Sequence, residues 1–241
     1  MASILPDSMP IVFIASFPAG AYQTNCYLVA AAEGGQAVVI DAGMDAAAGV
    51  RRGLDQYGLR LAGVLATHGH VDHIADAAQL ADAAGVELWI NPADRPLLSH
   101  PGLALNRDAR TMLRQARMET LPEPRRVHEI DVTQAFEIGG VTFEPIAAPG
   151  HTPGSTLFAL PGERVLFSGD VIFAGTIGRM DLPMGDTSTM QATLRRLVGE
   201  LDPDLDVLPG HGPATTWGGE LANNPYLSAQ FLSADFLEDS I

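Results

Sequence analysis

The segment Thr67-His68-Gly69-His70-Val71-Asp72-His73 places three histidines and one aspartate within six consecutive positions. Imidazole and carboxylate suit zinc, iron or manganese, and the lack of cysteine argues against a closed structural zinc site. In an extended segment alternate side chains share a side, so His68, His70 and Asp72 can converge. His73 opens the following helix, which turns its ring along a different vector toward a second ion. Asp72 could equally serve as a simple helix cap.

Three further loops supply matching groups. Pro149-Gly150-His151-Thr152-Pro153-Gly154, Ser168-Gly169-Asp170 and Pro209-Gly210-His211-Gly212 each follow a predicted strand. Glycine beside each one lets the backbone turn sharply and approach closely. Five of the seven histidines fall in these segments, and only His100 and His128 lie elsewhere. That concentration argues against a purely structural origin for the set.

Positioning such groups requires strands that end at one edge. Ala37 to Ile40 reads as a buried strand ending at Asp41-Ala42-Gly43. A helix follows with Val50, Leu54 and Tyr57 on one face and Gly58 as its stop. Leu61 to Ala66 reads as a strand running into the histidine segment. Ile74 to Ala84 reads as an Ala-rich helix stopped by Gly85, and Val86 to Ile90 as a further strand. In the second half, Phe136 to Ile138 and Val141 to Phe143 flank Gly139-Gly140, a hairpin signal. Thr156 to Leu160 and Arg164 to Phe167 flank Pro161-Gly162 in the same way. A helix is predicted over Thr189 to Leu201, and a short strand over Asp206 to Leu208. A last helix is capped by Asn224, has Pro225 as its first residue and continues to about Leu237.

Frequent hairpins favour two sheets sandwiched between outer helices over a doubly wound sheet. One domain over residues 1–241 is expected. Ala93 to His128 is the least regular stretch, with a helix over Asp108 to Glu119. It reads either as a lid over the site or as a helix covering a sheet edge, and the second is the more economical.

The 241 residues carry a net charge of −15 and no lysine at all. A surface this acidic repels phosphate backbones and anionic lipid, so no nucleic-acid or membrane partner is expected, only a small-molecule substrate. The single cysteine, Cys26, excludes an intramolecular disulfide and fits a reducing cytoplasm. It lies in an apolar strand and reads as a small core residue. Met1 to Pro10 shows no signal-peptide pattern, and the apolar runs are too short to span a bilayer.

Taken together, these motifs resemble the metallo-β-lactamase superfamily, from Asn25-Cys26-Tyr27-Leu28 through Asp41-Ala42-Gly43 to His211. The resemblance implies an α/β fold, the αββα four-layer sandwich, with metals at one edge of the two sheets. It implies two divalent ions, zinc first, with iron or manganese as alternatives. His68, His70 and His151 would bind one ion, and Asp72, His73 and His211 the other, with Asp170 bridging. Asp41 would support them from behind, or is simply a turn residue. Two ions about 3.5–4 Å apart can share a hydroxide that attacks a carbonyl, with Asp72 as the catalytic residue orienting it.

Within the superfamily, Ser168 to Pro183, with Gly178-Arg179-x-Asp181, and Leu208-Pro209-Gly210-His211-Gly212-Pro213 resemble the short bacterial glyoxalase II (hydroxyacylglutathione hydrolase) group. The implied reaction is hydrolysis of a thioester such as S-lactoylglutathione. The common β-lactamase subclass has a cysteine where this chain has Asp170, which argues against antibiotic hydrolysis. Arg179 either binds a substrate carboxylate or pairs with Asp181 and braces its loop. The same loop resembles mononuclear-iron persulfide dioxygenases, whose ligands would be His68, His151 and Asp170. Lactone hydrolysis is a further alternative, as is a non-catalytic metal-binding protein.

Overall fold

The computed structural model describes residues 12–233. The first half forms strands β1 (Phe13–Ala19), β2 (Thr24–Ala30), β3 (Gln36–Ile40), β4 (Arg60–Leu65), β5 (Glu87–Ile90) and β6 (Val127–Glu129). They make one sheet in sequence order. β1 to β3 pair antiparallel, whereas β3 to β6 run parallel. Parallel neighbours need crossovers. Helix α1 (Ala46–Gln56) connects β3 to β4. Helices α2 (Val71–Ile74) and α3 (Ala77–Ala84) connect β4 to β5, and α4 (Arg107–Gln115) lies between β5 and β6.

The second half supplies β7 (Phe136–Ile138), β8 (Val141–Ala147), β9 (Thr156–Leu160) and β10 (Val165–Gly169). A small ribbon of β11 (Ile172–Phe173) and β12 (Thr176–Ile177) follows, then β13 (Asp206–Pro209) and β14 (Thr215–Thr216). The second sheet runs β14-β13-β10-β9-β8-β7. Its first turn is Gly139-Gly140. Both glycines have positive φ, 60° and 80°, as a two-residue turn matched to strand twist requires. Helices α5 (Thr187–Glu200), α6 (Trp217–Asn223) and α7 (Ala229–Leu232) are the remaining α-helices among the described residues.

Period-two alternation separates the layers. On β2, Tyr27 and Val29 point into a core shared with Phe143, Phe158 and Phe167 of the second sheet. Cys26 and Leu28 point the other way, onto Val50 of α1 and Leu80 of α3. On the far side, Leu157, Leu166 and Val207 pack under Met190, Leu194 and Leu197 of α5 and under Trp217. The result is helix, sheet, sheet, helix. Each sheet has both faces covered, so β3 is apolar and buried from Ala37 to Ile40 without alternation in polarity.

Two expectations need correction. The helix predicted from Ile74 is two pieces, α2 and α3, separated at Ala75 and Asp76. The C-terminal helix breaks as well. Pro225–Leu227 forms a 3₁₀ turn, Ser228 turns the chain into an extended conformation, and α7 restarts with the Ser228 hydroxyl accepting from the Phe231 N–H. Its expected continuation to Leu237 lies outside the described residues, as does the Met1 to Pro10 segment read for a signal peptide. Among the described residues no helix is long and apolar enough to cross a membrane.

Candidate metal centre

His68, His70, His151, Asp170 and His211 stand in the loops after strands, Asp72 and His73 stand on the short helix α2, and all seven meet at one edge of the sandwich. The loop after β4 carries His68 and His70. Alternation holds for these two only. The chain enters α2 at Val71, so Asp72 lies in the first helical turn rather than in an extended segment. Asp72 therefore swings away from His68 and His70, toward His73 and His211.

One group comprises His68, His70 and His151. His70 Nδ1 lies 3.1 Å from His68 Nε2 and 2.8 Å from His151 Nε2. A second group comprises Asp72, His73 and His211, with His211 Nε2 3.3 Å from Asp72 Oδ2 and 3.3 Å from His73 Nε2. Asp170 sits between them. Its Oδ1 is 3.3 Å from His73 Nε2, and its Oδ2 is 3.4 Å from His211 Nε2 and 3.6 Å from His151 Nε2.

The backbone geometry that permits this is tight. A β-bulge at Ser168 ends the regular pairing of β10 with β13, immediately before Asp170. A Cβ at Gly210 would stand 2.2 Å from Asp170 Oδ1 and 2.7 Å from the His73 ring, so only glycine fits there. The His211 loop is tied to the first sheet. The Asn25 N–H donates to Gly210 O, the Asn25 side-chain amide to Pro209 O and Gly212 O, and the Tyr27 hydroxyl to Pro209 O.

Hydrogen bonds fix the ring orientations. His73 Nδ1 donates to Asp41 Oδ2 at 2.9 Å, which aims Nε2 at the cluster. His151 Nδ1 donates to the Arg179 carbonyl at 2.7 Å, leaving its Nε2 directed inward. Asp41 also accepts from the Thr67 N–H and hydroxyl, at 2.8 Å each. It is therefore more than a turn residue. Its φ of 57°, uncommon for a non-glycine, brings that carboxylate onto both partners.

The donor set fits divalent cations. Burial, reinforced by neighbouring His151, holds His70 down to about 3, and burial with His73 and His151 lowers His68 well below its usual value. Those two rings are neutral, with lone pairs to offer. Around Asp72 and Asp170 the balance reverses. Burial opposes charge on His211, but hydrogen bonds to Asp170 and Asp72 raise it to about 9. Asp72, although buried, is held at about 2 by His73 and His211. This half calls for positive charge that its carboxylates otherwise draw from protons. His70 Nε2 and Asp170 Oδ1 are also buried without hydrogen-bond partners. Three ring nitrogens meeting lone pair to lone pair beside an excess of carboxylate is the chemistry of a cation site.

Arg179 and Asp181 form a bidentate pair, both contacts at 2.7 Å, on the exposed rim. His100 and His128 stay outside the cluster, and His128 stacks on Trp89.

One residue that matters escaped the sequence reading. Asp94 is fully buried and accepts from the Gly69 N–H, the Thr152 hydroxyl and the Gly154 N–H, at 2.8, 2.6 and 2.8 Å. It clamps the His68–His70 loop to the His151 loop. Its only sequence signal, an acid three residues after Asn91, reads as an ordinary helix start. Asp94 stands in the 3₁₀ segment Pro92–Leu98, within the stretch that had no clear pattern.

The cluster opens into a cavity of about 700 Å³. Helix α4 forms one wall, through Ala109, Met112 and Leu113. The region from Ala93 to His128 thus does more than cover a sheet edge.

The metallo-beta-lactamase superfamily matches residues 19–211. This chain belongs to that superfamily. The match spans all seven clustered residues, and the superfamily suggests a metal-dependent hydrolase. The chain is 34% identical over 227 residues to hydroxyacylglutathione hydrolase GloC of Haemophilus influenzae, covering 88% of this chain and 97% of GloC. Two crystal structures superpose over 90% of this chain and all of theirs. BLEG-1 B3 metallo-beta-lactamase gives a TM-score of 0.78 at 33% identity, and TTHA1623 in a di-iron-bound form gives 0.73 at 34%.

Proposed function

We propose that this protein is a dinuclear metal-dependent hydrolase that cleaves small-molecule thioesters, of which S-lactoylglutathione is the first to test. The observation that carries the reading is the completeness of both ligand groups. His68, His70 and His151 stand beside Asp72, His73 and His211, with Asp170 between them. A mononuclear iron site would use only His68, His151 and Asp170 and would leave the second group without a purpose. Likeness to GloC supports the thioester, and likeness to a di-iron-bound structure supports two metals. Zinc and iron both suit this donor set.

When bound, divalent ions supply a water of lowered pKa and positive charge for a developing oxyanion. The chain's own groups do the rest. Asp72 is held ionised, so it remains a hydrogen-bond acceptor that can orient a water O–H. Thr24 donates its hydroxyl to Asp72 Oδ2 at 3.1 Å and fixes that carboxylate. Asp41 and the Arg179 carbonyl hold His73 and His151 in their productive tautomers. Asp170 is held well below the ordinary carboxylate range by His73 and His211 despite burial, so it is no proton donor at neutral pH. Two ionised carboxylates suit a leaving group that departs without a proton. A thiolate, with a parent pKa of about 8.5, does so readily.

Likeness to BLEG-1 raises a second reading, β-lactam hydrolysis. The test is direct. Protein reconstituted with zinc, and separately with iron, is assayed on S-lactoylglutathione and on a chromogenic cephalosporin. Cleavage of this thioester, or of a thioester of an uncharged thiol run beside it, at a kcat/KM at least a hundredfold above that for the cephalosporin supports the proposal. The reverse ranking replaces it with the lactamase reading.

A further inference from the structure

Granting that thioester-hydrolase reading, we infer that this site takes thioesters whose acyl and thiol arms are apolar and uncharged, rather than glutathione conjugates. The argument starts from α4. Its residues Ala109, Met112 and Leu113, with Ala116 just beyond, recur at helical spacing and line the cavity over the metal centre. Two of the helix's guanidiniums turn elsewhere. Arg110 donates to the Leu105 carbonyl and Arg114 to Glu119, and both line a separate hollow.

The apolar wall is left open to solvent. Met112 is 60% exposed and Tyr22, across the cavity, is 53% exposed. Large apolar side chains left open around a concave site mark a surface kept for a ligand. Phe173 adds an aromatic face near His211, their ring centroids 5.9 Å apart.

Charge points the same way. Glutathione presents two carboxylates. Among the described lining residues Arg179 is the one guanidinium, and Asp181 already grips it through two hydrogen bonds. The other charged groups lining the cavity are carboxylates and the clustered histidines. A glutathione thioester would set two carboxylates against a wall whose one lining guanidinium is already paired, whereas an alkyl chain meets methionine, leucine and aromatic surface. The cavity, about 700 Å³, lies within the usual range for a small-molecule site of some 300–1,000 Å³.

The test uses the metal-loaded, full-length protein and N-acetylcysteamine thioesters of acetyl, butyryl and hexanoyl groups, with the lactoyl and hexanoyl thioesters of glutathione alongside. The expectation is a rise in kcat/KM of about threefold per added methylene. Hexanoyl-N-acetylcysteamine should exceed hexanoylglutathione at least tenfold. Met112→Asp, a surface change on α4, should cut the hexanoyl-to-acetyl ratio at least tenfold. A non-hydrolysable readout runs in parallel. By calorimetry the S-hexyl thioether of N-acetylcysteamine should bind at least tenfold tighter than the S-methyl thioether, and Met112→Asp should erase that difference. Equal binding of the two thioethers, or tighter binding of S-hexylglutathione than of its N-acetylcysteamine counterpart, overturns the inference. Chain-length-dependent binding without cleavage of any thioester upholds the ligand class and refutes the hydrolase reading instead.

Discussion

Asp41 Oδ2 accepts a hydrogen bond from His73 Nδ1 at 2.9 Å, and neither side chain sees solvent. This contact converts a strand end into a positioning device. β3 delivers Asp41, α2 delivers His73, and the bond between them aims the other ring nitrogen at Asp170 and His211. Asp41→Ala should therefore weaken metal binding at the Asp72–His73–His211 group by about 10- to 100-fold, the usual effect of removing a ligand's outer partner. Metal titration of the variant by calorimetry checks this. An unchanged second binding event would show that His73 needs no such support.

Asp94 makes a different demand. It touches no metal-cluster ring yet holds two ligand loops together through the Gly69 and Gly154 backbone. Asp94→Ala leaves two buried N–H donors and the Thr152 hydroxyl without their acceptor, at a cost of about 1–3 kcal/mol each at most. The variant should lose several degrees of Tm and at least tenfold in affinity at the His68–His70–His151 group. Loss of Tm alone, with full metal affinity, would reduce Asp94 to a stability residue.

The metal-free protein should be pH-sensitive. Although burial opposes its charge, His211 is raised to about 9 by Asp170 and Asp72, above its ordinary value near 6.5. His73, also against its burial, is raised well above the same reference by Asp170, Asp72 and Asp41. A histidine raised on folding binds its proton more tightly in the native state. Its stabilising contribution is complete below about 6.5 and disappears as pH rises through the folded value. Thermal unfolding of chelator-treated protein should thus show Tm falling between pH 6.5 and 9, by about 2–4 °C per kcal/mol lost. A Tm that rises over that window would contradict the pairing.

Cys26 should be dispensable for catalysis. It is fully buried on the outer face of β2, and burial, with Asp41 and Asp76 nearby, keeps its thiol protonated well above the usual range. Cys26→Ala should retain kcat/KM within about twofold while losing on the order of 1 kcal/mol of stability for the volume removed. Loss of turnover in a folded variant would assign it a role that its position does not support.

Much of the site was readable because its chemistry is local. A histidine or aspartate beside glycine at a strand end carries its signal in two or three residues, and His68, His151, Asp170 and His211 all have that form. Asp72 was read as part of an extended run because alternation assumes that the strand continues. The helix begins one residue earlier, at Val71, and a four-residue helix leaves little periodicity to detect. Asp94 was invisible for a deeper reason. Its partners are backbone N–H groups some 25 and 60 positions away, and no short pattern encodes them. The hairpins and the sandwich followed from alternation and turn glycines, whereas the broken C-terminal helix depended on Ser228 adopting an extended conformation that its sequence allows but does not require. The role of α4 was ambiguous because an apolar stripe looks the same whether it covers a sheet or lines a cavity.

The central claim is that both ligand groups are used. The most direct measurement is metal content per chain, by mass spectrometry, of protein purified without added metal and of its His73→Ala variant. Thioester cleavage and oxygen uptake with glutathione persulfide are followed on the same samples. Two metals per chain falling to about one in the variant, with thioester cleavage and no oxygen consumption, is the predicted result. One iron per chain, unchanged by His73→Ala and accompanied by oxygen uptake, would contradict the account and identify a dioxygenase.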